Sequence, residues 1–271
     1  MTDAEILKRF NVRVLGDRGP TLLLAHGFGC DQSMWRHVVN AFQDDYRIVL
    51  FDYVGHGNAE VSAFDEARYS SLQGYSEDLL AICKALNLKD AHFVGHSVSG
   101  MIGVLAAIER PEVFDRLVLI GPSACYINDE GYQGGFTKSQ LNELIEFLDE
   151  NPLGWSQTMA PAIMGNPNQP ALSKELEASF CRTDPRVAKT FARATFLTDH
   201  RADLPRLRKP SLILQCSQDV IAPDCVGEYM HRHLQDSTLV TLKATGHCPH
   251  LSAPDETNAA IGAYLKAAER N

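Results

Sequence analysis

The chain's 271 residues are enough to bury a full core within one large domain. Hydrophobic residues make up 45% and charged residues 22%, the balance of a globular protein, and no stretch approaches a membrane span. A formal charge of −9 excludes the basic patches that nucleic acid or an anionic membrane selects. In chain order, the N-terminal run from Met1 to Lys8 lacks the apolar segment of a secretory signal. Residues 6–15 are expected to add antiparallel strands at a sheet edge. Apolar runs then read as strands at Thr21–Ala25, Ile48–Phe51, His92–Val94 and Leu117–Ile120, and later at Ser211–Gln215 and Leu239–Leu242. Continuous rather than alternating runs suit strands buried on both faces of a parallel sheet. Helices alternate with them: Ser71–Leu86 carries an apolar stripe, another opens at Val98, and Pro223 and Pro254 stand near the starts of two more.

The alternation stops near Gly121 and resumes near Pro210. Helical patterns without strands lie between, at 140–150, 155–163 and 187–196, punctuated by Gly134-Gly135 and by Asn166-Pro167-Asn168-Gln169-Pro170. This insert is expected to cap the strand ends. Strand-helix alternation implies a doubly wound α/β fold. The division expected is a core of 1–122 and 205–271 with a cap of 123–204. The seven cysteines (30, 83, 125, 181, 216, 225 and 248) are odd in number and form no CxxC pair. That fits reduced thiols of a cytoplasmic protein and indicates neither a zinc ribbon nor a redox dithiol. No Walker A loop or GxGxxG fingerprint is present, so no cofactor and no metal are expected.

The chemistry concentrates at Gly95-His96-Ser97-Val98-Ser99-Gly100. A strand ends, a Gly-x-Ser turn follows and a small-residue helix begins, which is the nucleophile elbow of the α/β-hydrolase fold. The fifth position, usually Gly, is Ser99, still small. A serine hydroxyl needs a base, and the base an orienting acid, in the chain order Ser, acid, His. Asp219 follows a strand and precedes a Pro-started helix. His247 follows the last strand in Ala244-Thr245-Gly246-His247. The expected catalytic set is therefore Ser97, Asp219 and His247. His250 is the competing base. His26, His56, His96, His200, His231 and His233 read as surface or packing residues. His26-Gly27-Phe28-Gly29 after the first buried strand fits an oxyanion loop, with the Phe28 and Val98 amides as donors. Phe51-Asp52-Tyr53-Val54-Gly55-His56-Gly57 reads as scaffolding beside the site.

Gly95-His96-Ser97-Val98-Ser99, Gly134-Gly135-Phe136, Phe180-Cys181-Arg182-Thr183-Asp184-Pro185 and Gly246-His247-Cys248-Pro249-His250-Leu251-Ser252 resemble the RsbQ-like α/β-hydrolases of the bacterial energy-stress response. They are similar, more loosely, to the plant karrikin and strigolactone receptors. The resemblance spans nearly the whole chain. It implies an α/β-hydrolase fold with a mostly parallel eight-stranded sheet and a four-helix cap over a closed apolar pocket. It implies that Phe28, Phe136 and Phe196 line that pocket for a small hydrophobic ester or lactone-like ligand. It also implies a signalling role with a PAS-containing PP2C-type phosphatase as partner. A metabolic esterase, lactonase or carbon–carbon bond hydrolase is the alternative, since both share the same chemistry.

Overall fold

The computed structural model describes residues 1–268, so the last three residues of the expected core segment 205–271 lie outside the described residues. The N-terminus departs from expectation. Thr2 and Glu5 form reciprocal side-chain to backbone hydrogen bonds that start helix α1 (Asp3–Arg9). Only one short strand, β1 (Arg13–Leu15), follows. The apolar residues at 6 and 7 that suggested strand are carried by a capped helix, because two satisfied amide donors outweigh a weak period-2 pattern. The sheet therefore has seven strands among the described residues, not eight.

Next come β2 (Thr21–Ala25), α2 (Arg36–Phe42), β3 (Arg47–Leu50), α3 (Leu72–Ala85), β4 (Ala91–His96), α4 (Val98–Glu109) and β5 (Phe114–Ile120). Four helices without strands follow: α5 (Lys138–Glu150), α6 (Pro152–Met164), α7 (Pro170–Arg182) and α8 (Pro185–Phe196). The chain returns to the sheet through β6 (Ser211–Gln218), α9 (Asp224–His233), β7 (Ser237–Thr245), α10 (Pro249–Ser252) and α11 (Pro254–Ala268). The strand order is β1-β3-β2-β4-β5-β6-β7, with β1 antiparallel to β3 and every other pair parallel.

That order locates the site. From β2 the chain steps outward to β3, then crosses back to lay β4 on the other side of β2, in register at Ala25 and Gly95. The crevice outside the carboxyl ends of β2 and β4 is the switch point where open α/β sheets bind ligands. Alternation along each strand feeds two cores. Leu23 and Ala25 face one with Phe93 and Val49; Leu22 and Leu24 face the other with Val94 and Ile48. The β4 strand is buried at all six positions, as a strand covered on both faces must be, and its two histidines, His92 and His96, are buried with it.

Candidate active site

Ser97 sits between β4 and α4 with φ 57° and ψ −125°, a backbone that L-residues rarely adopt. Its amide donates to Ile120 O at 2.8 Å, and its own carbonyl accepts from the Gly100 amide at 2.8 Å. These bonds hold the sharp turn, and the strain lifts the hydroxyl clear of the sheet. His247 Nε2 stands 2.8 Å from Ser97 Oγ, and His247 Nδ1 stands 2.6 Å from Asp219 Oδ2. The other Asp219 oxygen accepts from the Ile221 amide at 2.8 Å and the Ala222 amide at 3.1 Å. Burial opposes the Asp219 charge, but the facing His247 and those two amides outweigh it and hold the carboxyl below the usual carboxylate range. With Asp219 ionised, Nδ1 of His247 carries the proton and Nε2 is free to accept one from Ser97.

The loop that carries His247 is fastened to α6. The His247 amide donates to Ile163 O at 2.8 Å, and Asn166 Nδ2 donates to Thr245 O at 2.9 Å. Gly246, at φ +80°, lies so close that a Cβ there would stand 1.9 Å from Met164 O. Only glycine permits both that backbone angle and that approach.

Val98 is the first residue of α4, so its amide has no acceptor within the helix and points from the helix N-terminus. Phe28 lies across the crevice, after β2. Its loop is braced through a chain of bonds that the sequence did not reveal. Ser99 Oγ donates to His26 O at 2.5 Å, and the Tyr53 hydroxyl donates to Ser99 Oγ at 2.8 Å. The Tyr53 amide donates to His26 Nε2, which leaves the Nδ1 proton of His26 to bond Gly27 O at 2.9 Å. Ser99 in place of the usual Gly is therefore a hydrogen-bonding post between α4, the Phe28 loop and the turn after β3.

Phe28, Phe136 and Phe196 line one cavity with Ser97 and His247. Its volume is about 50 Å³, room for only a small molecule. Leu141 and Ile145 of α5, Trp155 of α6 and Phe180 of α7 complete the wall, which contains no Asp, Glu, Lys or Arg. Trp155, Phe191 and Phe196 each pack about the Phe28 ring, with centroids at 6.0, 5.8 and 5.9 Å. Cys30 and Cys248 also reach the cavity, but burial pushes the Cys30 thiol up to about 12 and Cys248 well above its usual value. Both stay protonated and are poor nucleophiles, leaving the Ser97 hydroxyl as the group paired with a base.

One neighbour escaped the sequence reading. Tyr126, 2% exposed, packs on Phe196 and turns its hydroxyl toward Ser97 without completing a hydrogen bond. Its only signal was an aromatic residue in the segment after β5. His250 is fully buried, with neither ring nitrogen hydrogen-bonded, and stacks between Trp35 and His96 rather than approaching Ser97.

A family profile described as "Alpha/beta hydrolase family" matches residues 22–260. The strigolactone esterase D14 of Arabidopsis thaliana is 40% identical over 255 residues, covering 94% of this chain and 95% of its own. The karrikin insensitive 2 receptor CA of Petunia hybrida is 39% identical over 246 residues, covering 90% and 91%. Among solved structures, olei00960, a hydrolase from Oleispira antarctica, superposes with a TM-score of 0.96 at 38% identity, covering 98% of both chains. The chain belongs to the alpha/beta hydrolase family and is an α/β-hydrolase enzyme.

Proposed function

We propose that the protein is a serine hydrolase of small hydrophobic esters or lactones that serves as a signalling regulator. Ser97 is the nucleophile, His247 the general base and Asp219 the acid that orients it. The amides of Phe28 and Val98 receive the oxyanion of the tetrahedral intermediate. Residues 123–204 form the cap, and Phe28, Phe136 and Phe196 are the substrate-binding walls. The observation that carries the chemistry is the unbroken line Asp219–His247–Ser97, at 2.6 and 2.8 Å, facing a mostly apolar cavity. Esters and lactones suit such a cavity because they bury apolar area and carry no charge.

The signalling reading rests on the relatives: one near 40% identity is named an esterase of strigolactone and another a receptor. The resemblance to RsbQ-like proteins supports a PAS-containing PP2C-type phosphatase as partner, and the absence of paired cysteines supports a cytoplasmic setting. The metabolic reading shares every residue of the site and differs only in lacking a partner. The decisive experiment has two arms. Ser97→Ala is expected to lose hydrolysis of 4-nitrophenyl acetate by roughly 10⁴-fold or more with an unchanged melting temperature, and a fluorophosphonate is expected to add mass at Ser97 alone. Retained turnover in Ser97→Ala rejects the mechanism. A scan of exposed positions on α5–α8, read for both ester turnover and phosphatase activation, then separates the roles. Variants that lose activation alone support signalling; loss of both in strict proportion favours the metabolic enzyme.

A further inference from the structure

The His247 peptide unit is held from two sides. Its amide donates to Ile163 O at 2.8 Å. Its carbonyl oxygen lies 2.8 Å from Nε2 of His96, the residue immediately before the nucleophile. A carbonyl can only accept, so His96 Nε2 carries the hydrogen. The two bonds act on opposite sides of the His247 Cα and so restrain both of its backbone torsions. Asp219 holds the ring in turn, so backbone and side chain of the base are both tethered. The His96 ring also meets the other wall of the site. A Cβ on Gly27 would stand 2.6 Å from His96 Nδ1, so the loop before Phe28 rests against this ring. One imidazole thus spaces the nucleophile turn, the Phe28 loop and the His247 loop.

The ring itself is tightly enclosed. It is 2% exposed, lies 4.6 Å from the His250 ring and 5.0 Å from the His247 ring, and His250 is backed by Trp35 at 4.8 Å. Burial, with His247 adding to it, pushes His96 down to about 3. The ring stays neutral and adds no charge beside His247 when that base takes up the Ser97 proton.

We propose that His96 is a positioning residue for the hydrolysis, its Nε2–H clamping the His247 carbonyl so that the base stays aligned with Ser97. The inference rests on the serine-hydrolase reading above. A misplacement of about 1 Å at a reacting group costs on the order of 100-fold in rate, which sets the scale of the effect.

Glutamine and asparagine separate a donor at the right distance from one that falls short. Gln Nε2 reaches the place of the His Nε2; Asn Nδ2 stops near the His Nδ1. In the full chain, with 4-nitrophenyl acetate as probe, His96→Asn is expected to lower kcat by roughly 10- to 100-fold with KM within about twofold. His96→Gln is expected to restore kcat to within about fivefold of the parent. The low-field proton resonance of the Asp219–His247 bond is expected to weaken in His96→Asn and to persist in His96→Gln. Melting curves identify any variant that has not folded; if His96→Asn is one, His96→Leu, which keeps bulk without a donor, replaces it. Equal rates in Asn, Leu and parent proteins overturn the proposal, and so does a Gln variant as slow as Asn, because the ring rather than its donor then matters. Failure of the serine-hydrolase reading is distinct: it appears as a parent protein without fluorophosphonate labelling of Ser97.

Discussion

At the scale of single residues, chain order and local context were enough to choose Ser97, Asp219 and His247 from many serines, acids and histidines. The structure brings these three side chains within hydrogen-bonding distance. They were legible because each stands at the end of a strand, and strand ends leave strong local marks. His96, Ser99 and Tyr126 were not legible, since their partners are up to 151 residues away. Two substitutions test the choice of base and acid. Asp219→Asn keeps the shape but cannot hold the His247 tautomer, so kcat is expected to fall by roughly 10³- to 10⁴-fold. His250→Phe keeps the stack between Trp35 and His96 and loses no hydrogen bond, because neither nitrogen of His250 has one. It is expected to retain the parent rate and to change stability by less than about 1.5 kcal/mol. Steady-state kinetics beside a urea unfolding curve reads both. An inactive, folded His250→Phe protein would show that the wrong histidine had been chosen.

At the scale of elements, the buried strands and α3, α5, α6 and α8 announced themselves through apolar periodicity. The Leu72, Tyr75, Leu79 and Ile82 stripe of α3 is buried as its spacing required. Helix α7 did not announce itself: only Leu176 and Phe180 are buried along its 13 residues. Polar links tether it instead. Arg36 meets Glu175 through two bonds of 2.6 and 2.9 Å, Arg182 meets Asp31 at 2.8 Å, and Ser179 Oγ donates to Gly29 O at 2.8 Å. The exposed ion pairs contribute about 0–1 kcal/mol each and mainly fix orientation. The tighter joint is between the end of α6 and the His247 loop. Gly246→Ala places a methyl group against Met164 O at a positive φ. It is expected to slow turnover by at least about tenfold and to cost on the order of 2 kcal/mol. Asn166→Ala removes the donors to Met164 O and Thr245 O without that clash and is expected to cost about half as much. Turnover and melting temperature measured on the same preparations decide it. An unaffected Gly246→Ala enzyme would mean that α6 does not hold His247 in place.

At the scale of the whole molecule, the parallel sheet and the helical insert were readable, whereas strand number was not. The N-terminal segment is short, and local capping decided it. A second whole-molecule property follows from counting buried histidines. His26, His56, His96 and His250 all have lowered pKa values, with burial the first cause in each, and His56 and His96 fall to about 3. An unfolded histidine takes up its proton near pH 6.5. Between about pH 6.5 and 3, therefore, the unfolded chain binds protons that His56 and His96 refuse in the fold, and stability falls as pH falls. The contribution is complete above 6.5. Well below that pH His56 and His96 each remove about 1.4 kcal/mol per pH unit, so the two remove roughly 3 kcal/mol per unit, and His26 and His250 add to the loss in the same direction. Asp219, held low by His247 and its amide donors, adds a loss in the same direction at more acid pH. Asp78, pushed up by burial, offsets at most one proton in the carboxylate range. Against a total stability of about 5–15 kcal/mol, the fold is expected to unfold cooperatively below about pH 5. The apparent unfolding constant should rise with a limiting slope of at least about two protons. His250→Phe removes one further such group, so its midpoint should move to lower pH and its slope should be no steeper than the parent's. Urea midpoints measured by circular dichroism from pH 7 to pH 4 give both quantities. A parent slope of one proton or fewer would show that these histidines accept protons inside the fold.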